Sequence, residues 1–322
     1  MGTPLAFAQA FETIRSADRV LLLPHKKPDG DAAGSATALF GWLEREGKDV
    51  TIFCRDPLPS QLRFLNHGHR IVQDESVFDA KYDVVIALDS GDLRYCGVHD
   101  LLPRIPSGYA FIVFDHHPTN ERYGHLNLVD ATASSTCEII HRFFEANNVH
   151  VDQAMATSLL TGILFDTHNF SNSATTSQSI AAASALLSSG ARNSEYIRNM
   201  LNDKTIGSLR IWGMMLSRLH HNPMYGLLTT YVLESDVQDG STNMDDATGG
   251  FGNFLNEVTG QAEIIMILQE RPNGEVKGSL RSVNQDVSAI AKKLGGGGHV
   301  KASGFTVKGR IQVTPDGPKI VN

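Results

Sequence analysis

At 322 residues, with 41% hydrophobic and 20% charged residues, the chain has an ordinary globular composition and enough length for two cores. Its net charge of −7 argues against a long duplex nucleic acid held on a broad basic face. A small phosphorylated substrate stays compatible, because bound divalent ions invert the local sign of a carboxylate-rich site.

Cys54, Cys96 and Cys137 are an odd, widely spaced set with no CxxC pair, as expected of reduced, packed cysteines. No apolar stretch reaches the roughly 18 residues of a membrane span. The N-terminus lacks the layout of a signal peptide, and Ala6 stands where a myristoylation motif wants Ser or Thr. The expectation is a cytoplasmic protein with no membrane partner.

Thr3-Pro4 opens an amphipathic helix that runs through Phe11. Residues 20–23 read as a strand and 32–46 as a helix closed by Gly47. Further strands are expected at 50–53, 83–88 and 110–114, and helices at 134–147, 152–165 and 175–187. This alternation predicts an α/β domain over residues 1–190, an open and mainly parallel sheet with helices on both faces. Residues 191–221 read as a helical linker. After Pro223 the texture changes to strands at 226–233, 262–269, 275–281 and 305–307, with a hairpin turn at Arg271-Pro-Asn-Gly274. Residues 222–322 are therefore expected to form a smaller α+β domain.

Four motifs each follow an apolar run: His25-Lys-Lys-Pro-Asp29-Gly-Asp31, Asp89-Ser-Gly-Asp92, Asp115-His116-His117 and Asp166-Thr-His168. Taken singly, each has a plain structural reading. Asp31 caps the following helix, Asp92 starts a turn, a histidine pair packs, and Asp166 is a solvated helix end. Taken together they deliver carboxylates and imidazoles to one rim, the ligands that hold hard or borderline divalent cations such as Mn²⁺. Five carboxylates and two imidazoles converging without a cation would repel one another and raise their pKa values. His116 and His117 end a strand and point to opposite sides, so at most one is expected to ligate directly, leaving the other to contact substrate or support the ligands, with Asp115 fixing a tautomer. In the second domain, Ser279 and Arg281 share a strand, and the guanidinium can grip a phosphate bidentately. Gly295 to Gly298, before His299, reads either as a phosphate-binding nest or as a loose connector.

This ordered set resembles the DHH phosphoesterases, named for the triplet seen here as Asp115-His116-His117. His25-x-x-Pro28-Asp29-Gly30-Asp31 looks like the family's first motif, Asp89 its second and Asp166 its fourth. Gly296-Gly297-Gly298-His299, with Ala302, Gly304 and Phe305 beyond, is similar to the hallmark of the associated DHHA1 domain. The match covers nearly the whole chain, and its two-domain form resembles the oligoribonuclease and 3′-phosphoadenosine 5′-phosphate (pAp) phosphatase branch.

The resemblance implies a metal-dependent hydrolase with two divalent cations, Mn²⁺ ahead of Mg²⁺. One ion would take His25, Asp29 and bridging Asp89; the other would take Asp31, Asp89, His116 and Asp166. Catalytic roles fall to His117, Asp89 and Asp115, and substrate contacts to Ser279, Arg281, Gly296, Gly297, Gly298 and His299. Short oligoribonucleotides, dinucleotides or pAp are the implied substrates, cut by an activated hydroxide, and a homodimer is allowed. Competing readings are a cyclic or linear dinucleotide phosphodiesterase, an inorganic pyrophosphatase or exopolyphosphatase, a RecJ-like exonuclease, and a non-catalytic nucleotide-binding regulator. One departure stands out: where relatives commonly carry Asp-Thr-Gly, this chain has Asp166-Thr167-His168.

Overall fold

The apolar runs that lead to His25, Asp89 and Asp115 become strands of a single parallel sheet, and the run that leads to Asp166 becomes a helix. The structure is a computed structural model that describes residues 4–201, 205–237, 244–258, 262–282, 284–315 and 317–321. The chain divides into two compact units, Met1–Asp203 and Lys204–Asn322.

In the first unit, β1 (Arg19–Pro24), β2 (Asp49–Phe53), β3 (Ile71–Val72), β4 (Val84–Leu88), β5 (Ala110–Asp115) and β6 (Leu126–Val129) are all parallel, in the order β3-β2-β1-β4-β5-β6. The edge strands β3 and β6 span only 2 and 4 residues, too short for sequence periodicity to reveal. Every residue of β4 is buried, as a strand covered on both faces requires.

The helices are α1 (Pro4–Arg15), α2 (Gly30–Arg45), α3 (Leu93–Cys96), α4 (Thr136–Ala146), α5 (Gln153–Asp166), α6 (Ser177–Ser188) and α7 (Asn193–Tyr196). Cover on the two faces is unequal. Val20, Leu22, Ile86 and Ile112 face the long helices, whereas Leu21, Val85 and Val113 meet α3 and short turns carrying Phe78 and Leu101. Each such side chain, fully buried, contributes roughly 1.5–3 kcal/mol.

Small residues let α2 and α5 approach closely. A Cβ added at Gly34 would strike the Ser158 carbonyl, and Thr37 Oγ1 donates to Ser158 Oγ across 2.9 Å. Strand order reverses around β1, which pairs with both β2 and β4. The crevice beyond the carboxyl ends at such a switch point is where open α/β sheets place ligands.

In the second unit the helices are α8 (Ile206–Ser217), α9 (Met244–Thr248), α10 (Phe251–Val258) and α11 (Val287–Lys293). Its strands are β7 (His220–Asn222), β8 (Leu227–Val232), β9 (Ile264–Arg271), β10 (Glu275–Arg281), β11 (Gly297–His299), β12 (Ala302–Lys308), β13 (Arg310–Thr314) and β14 (Gly317–Val321). They form a mixed sheet, β11-β12-β10-β9-β8-β7, parallel only between β8 and β9, beside the β13–β14 hairpin. One face packs Ile211, Met215 and Phe251 against Ile267; the other packs Val287 and Phe305 against Leu280.

Residues 191–221 are not one helical element. The helix α7 runs into a π-helical turn at Ile197–Leu201, the core of the second unit takes Ile211 and Met215 from α8, and His220–Asn222 is a strand.

Candidate metal centre

The chain leaves β1 at Pro24 and turns through His25, which is almost fully buried. His25 Nδ1 lies 2.7 Å from the Lys26 carbonyl oxygen. A proton on Nδ1 donates there and leaves Nε2 facing Asp89 Oδ2 at 3.4 Å and Asp29 Oδ2 at 3.6 Å. Asp29, not Asp31, caps α2: its Oδ1 accepts from the backbone N–H groups of Asp31 and Ala32 at 3.0 and 3.1 Å. The cap and the site are thus two faces of one carboxylate.

Asp31 is fully buried. Its oxygens accept from the backbone N–H groups of Thr136 and Cys137, 2.6 and 2.9 Å away, at the start of α4. The close pass of α5 makes room for it, since a Cβ at Gly162 would sit 2.6 Å from Asp31 Oδ1.

Asp89 is the hub. It ends the buried strand β4 in the left-handed region, φ +55°, a conformation that aspartate tolerates better than most residues. One oxygen faces His25; the other accepts from Thr136 Oγ1 at 3.1 Å and stands 3.5 Å from His116 Nε2 and 3.7 Å from His117 Nδ1. Asp166, the last residue of α5, brings Oδ2 to 3.2 Å from His116 Nε2. Asp92 takes the turn role, capping α3.

Asp115 faces inward instead. Its Oδ1 accepts from the His116 N–H at 2.9 Å and lies 2.7 Å from His117 Nδ1, and its Oδ2 accepts from Asn120 Nδ2 at 2.6 Å. Asp115 is fully buried, with both oxygens engaged, and its contacts orient the histidine pair.

The donor atoms form three groups, each within 4.8 Å: His25, Asp29 and Asp89; Asp31, His116 and Asp166; and Asp89, His116 and His117. Among the described residues no lysine or arginine pairs with Asp29, Asp31, Asp89 or Asp166. Burial foremost, with the charge of Asp89 behind it, pushes Asp31 up to about 7. Burial also raises Asp89 and Asp166. Burial alone would lower His25, but the hydrogen bonds its ring donates to Asp29 and Asp89, and the charges of those acids, push it up to about 12. The cluster is short of positive charge, and a divalent cation fits that deficit and that donor set.

In the second unit, Ser279 and Arg281 line a cavity of about 150 Å³ with Lys277, Gln269, Thr248 and Gly250. Burial lowers the pKa of Arg281, whose Nη1 donates to the Leu280 carbonyl at 3.0 Å. The glycine run is not a loose connector. Gly295 turns the chain at φ +75°, and Gly297–His299 is strand β11, paired to β12 from Gly297 opposite Gly304 to His299 opposite Ala302. A Cβ at Gly296 would strike the Gly304 carbonyl, so close backbone approach explains that glycine. The side chain of His299 lies outside the described residues. His168 is exposed and opens a run of three left-handed residues, with φ of +45°, +58° and +65° through Phe170.

Sequence reasoning passed over Thr136, Cys137 and Asn120. The capping pattern Ser135-x-x-Glu138 announces where α4 begins, but nothing local shows that its free N–H groups meet Asp31.

A switch-point cluster of carboxylates and imidazoles, in one chain with a mixed-sheet unit, defines a two-unit α/β protein with a metal-binding centre. The chain belongs to the DHH family: the family's N-terminal domain matches residues 19–163, and the DHHA1 domain matches residues 228–315. It is 35% identical to the bifunctional oligoribonuclease and PAP phosphatase NrnA of Thermus thermophilus, over 90% of this chain and 84% of that one. The NrnA of Bacillus subtilis is 25% identical over 93% and 92% of the two chains. An exopolyphosphatase-related protein from Bacteroides fragilis shares the fold, with a TM-score of 0.83 at 23% identity over 94% and 90% of the chains.

Proposed function

We propose that this protein hydrolyses short oligoribonucleotides and dinucleotides to mononucleotides, and pAp to AMP, using two divalent cations, Mn²⁺ ahead of Mg²⁺. The observation that carries the reading is the convergence on Asp89, one oxygen toward His25 and the other toward His116. The activities named for the two NrnA relatives support the substrate class. His25, Asp29 and Asp89 hold one cation, and Asp31, His116, Asp166 and the shared Asp89 hold the second. When bound, such a pair supplies Lewis acidity and lowers the pKa of water toward neutrality.

The remaining groups bind and orient. His117 is held by Asp115 through Nδ1, which leaves Nε2 for the substrate's phosphoryl oxygens. Ser279 and Arg281 grip a phosphate of the substrate. No helix among the described residues is long and apolar enough to cross a membrane, and a cytoplasmic setting suits soluble nucleotide substrates.

The test is release of mononucleotide from a ribodinucleotide by chelator-treated protein, with and without added Mn²⁺. Release only with the metal is expected; none in either condition rejects the reading.

A further inference from the structure

Tyr95 stands against two of the cluster's imidazoles and has no task in the reading above. Its ring centroid lies 4.8 Å from that of His25 and 6.1 Å from that of His117. His25 belongs to the donor group with Asp29, and His117 to the group with His116, so one aromatic ring packs against an imidazole from each of two donor groups that share Asp89.

The ring is presented rigidly. Asp92 Oδ1 accepts from the backbone N–H groups of Arg94 and Tyr95, both at 2.7 Å, and Gly97 closes α3 in the left-handed region at φ +86°. A helix of 4 residues has little stability of its own, so these two clamps decide where Tyr95 points. A Cβ at Gly97 would already be 3.2 Å from Lys26 Cβ, which keeps α3 against the loop carrying His25.

Packing alone does not account for a tyrosine. Phenylalanine would lean on the two imidazoles equally well. The phenol adds a hydroxyl, on a half-buried side chain beside the cluster, that has no hydrogen-bond partner among the described residues. A centre whose ligands gather cations receives anionic oxygens, and a neutral O–H at its edge complements them.

We propose that Tyr95 is a substrate-contacting residue, whose hydroxyl donates a hydrogen bond to a phosphoryl oxygen while its ring steadies His25 and His117. The inference rests on the phosphoesterase reading and adds a specificity element that none of the four motifs contains.

Two variants separate hydroxyl from ring. Tyr95→Phe keeps the ring; its kcat/KM on a ribodinucleotide with Mn²⁺ should fall by about tenfold or more, the scale of a hydrogen bond to a charged acceptor. AMP binding to the Mn²⁺-loaded protein, measured by calorimetry, should weaken by a similar factor, with Mn²⁺ affinity and melting temperature unchanged. Tyr95→Leu should in addition weaken Mn²⁺ binding. Wild-type kcat/KM and AMP affinity in Tyr95→Phe would overturn the hydroxyl's role, and wild-type Mn²⁺ affinity in Tyr95→Leu would overturn the ring's. If the wild-type protein releases no mononucleotide yet binds AMP more tightly than Tyr95→Phe does, the phosphoesterase reading fails and the Tyr95 contact stands.

Discussion

Asp245 in the second unit and the buried aspartates of the metal centre in the first are balanced in opposite ways. In the second unit Asp245 accepts from Arg271 at 2.6 and 3.0 Å and from Lys277 at 2.8 Å, and these bonds pull its carboxyl down to about 2. In the first, Asp31, Asp89 and Asp166 are buried in one cluster where, among the described residues, the basic side chains are imidazoles, and their pKa values are raised. An acid balanced by fixed cations is part of the scaffold. A cluster left short of positive charge is built for a cation that arrives from solution. Counting charges around a carboxylate thus separates the two cases where motif matching sees only aspartates.

Removing the hub should break the contrast most severely. Asp89→Ala is expected to lower turnover by about 10³-fold or more, since in the proposed site both cations would lean on this one carboxylate. Near-normal turnover, with metal content verified, would remove Asp89 from the centre of the account. A subtler break is Gly162→Ala, whose new Cβ presses on Asp31 and Cys137. Overpacking of this kind costs about 1–3 kcal/mol, so a lower melting temperature should accompany weaker Mn²⁺ binding. Wild-type values for both would show that the α2–α5 approach does not set the position of Asp31. Asp245→Ala sharpens the comparison from the other side. The side chain of Asp245 is half exposed, so the loss should stay below about 1 kcal/mol, and Mn²⁺ binding should not change. A loss of metal affinity there would contradict the division between scaffold acids and site acids.

Much of the first unit was legible because a buried parallel strand is a short apolar run, and the run's end locates the site. His25, Asp89 and Asp115 all follow such runs at β1, β4 and β5. What stayed hidden depends on contacts between distant segments. Asp29 and Asp31 are two residues apart in one polar turn, and only the packing of α4 and α5 decides which caps α2 and which is buried beneath Thr136. The inward aim of Asp115 follows from Asn120, five residues on, which local pattern does not single out. The glycines before His299 carried a flexible look in sequence, yet β12 passes so close to Gly296 that a side chain has no room. His168 is the reverse case. Its φ of +45° explains why glycine suits that position, and the imidazole it carries instead is exposed.

The most direct test of the central claim is calorimetric titration of chelator-treated protein with Mn²⁺ at pH 6 and pH 8. Asp31 is raised from 3.8 to about 7, so the stability its protonated form contributes is full below 3.8 and is lost as the pH rises through about 7. Metal-free protein should therefore be weaker at pH 8, and the cations should displace protons and bind more tightly there. The account predicts two ions per chain, tighter binding at the higher pH, proton release, and loss of this behaviour in Asp89→Ala. Absence of binding in the wild-type protein, or undiminished binding in Asp89→Ala, would contradict it.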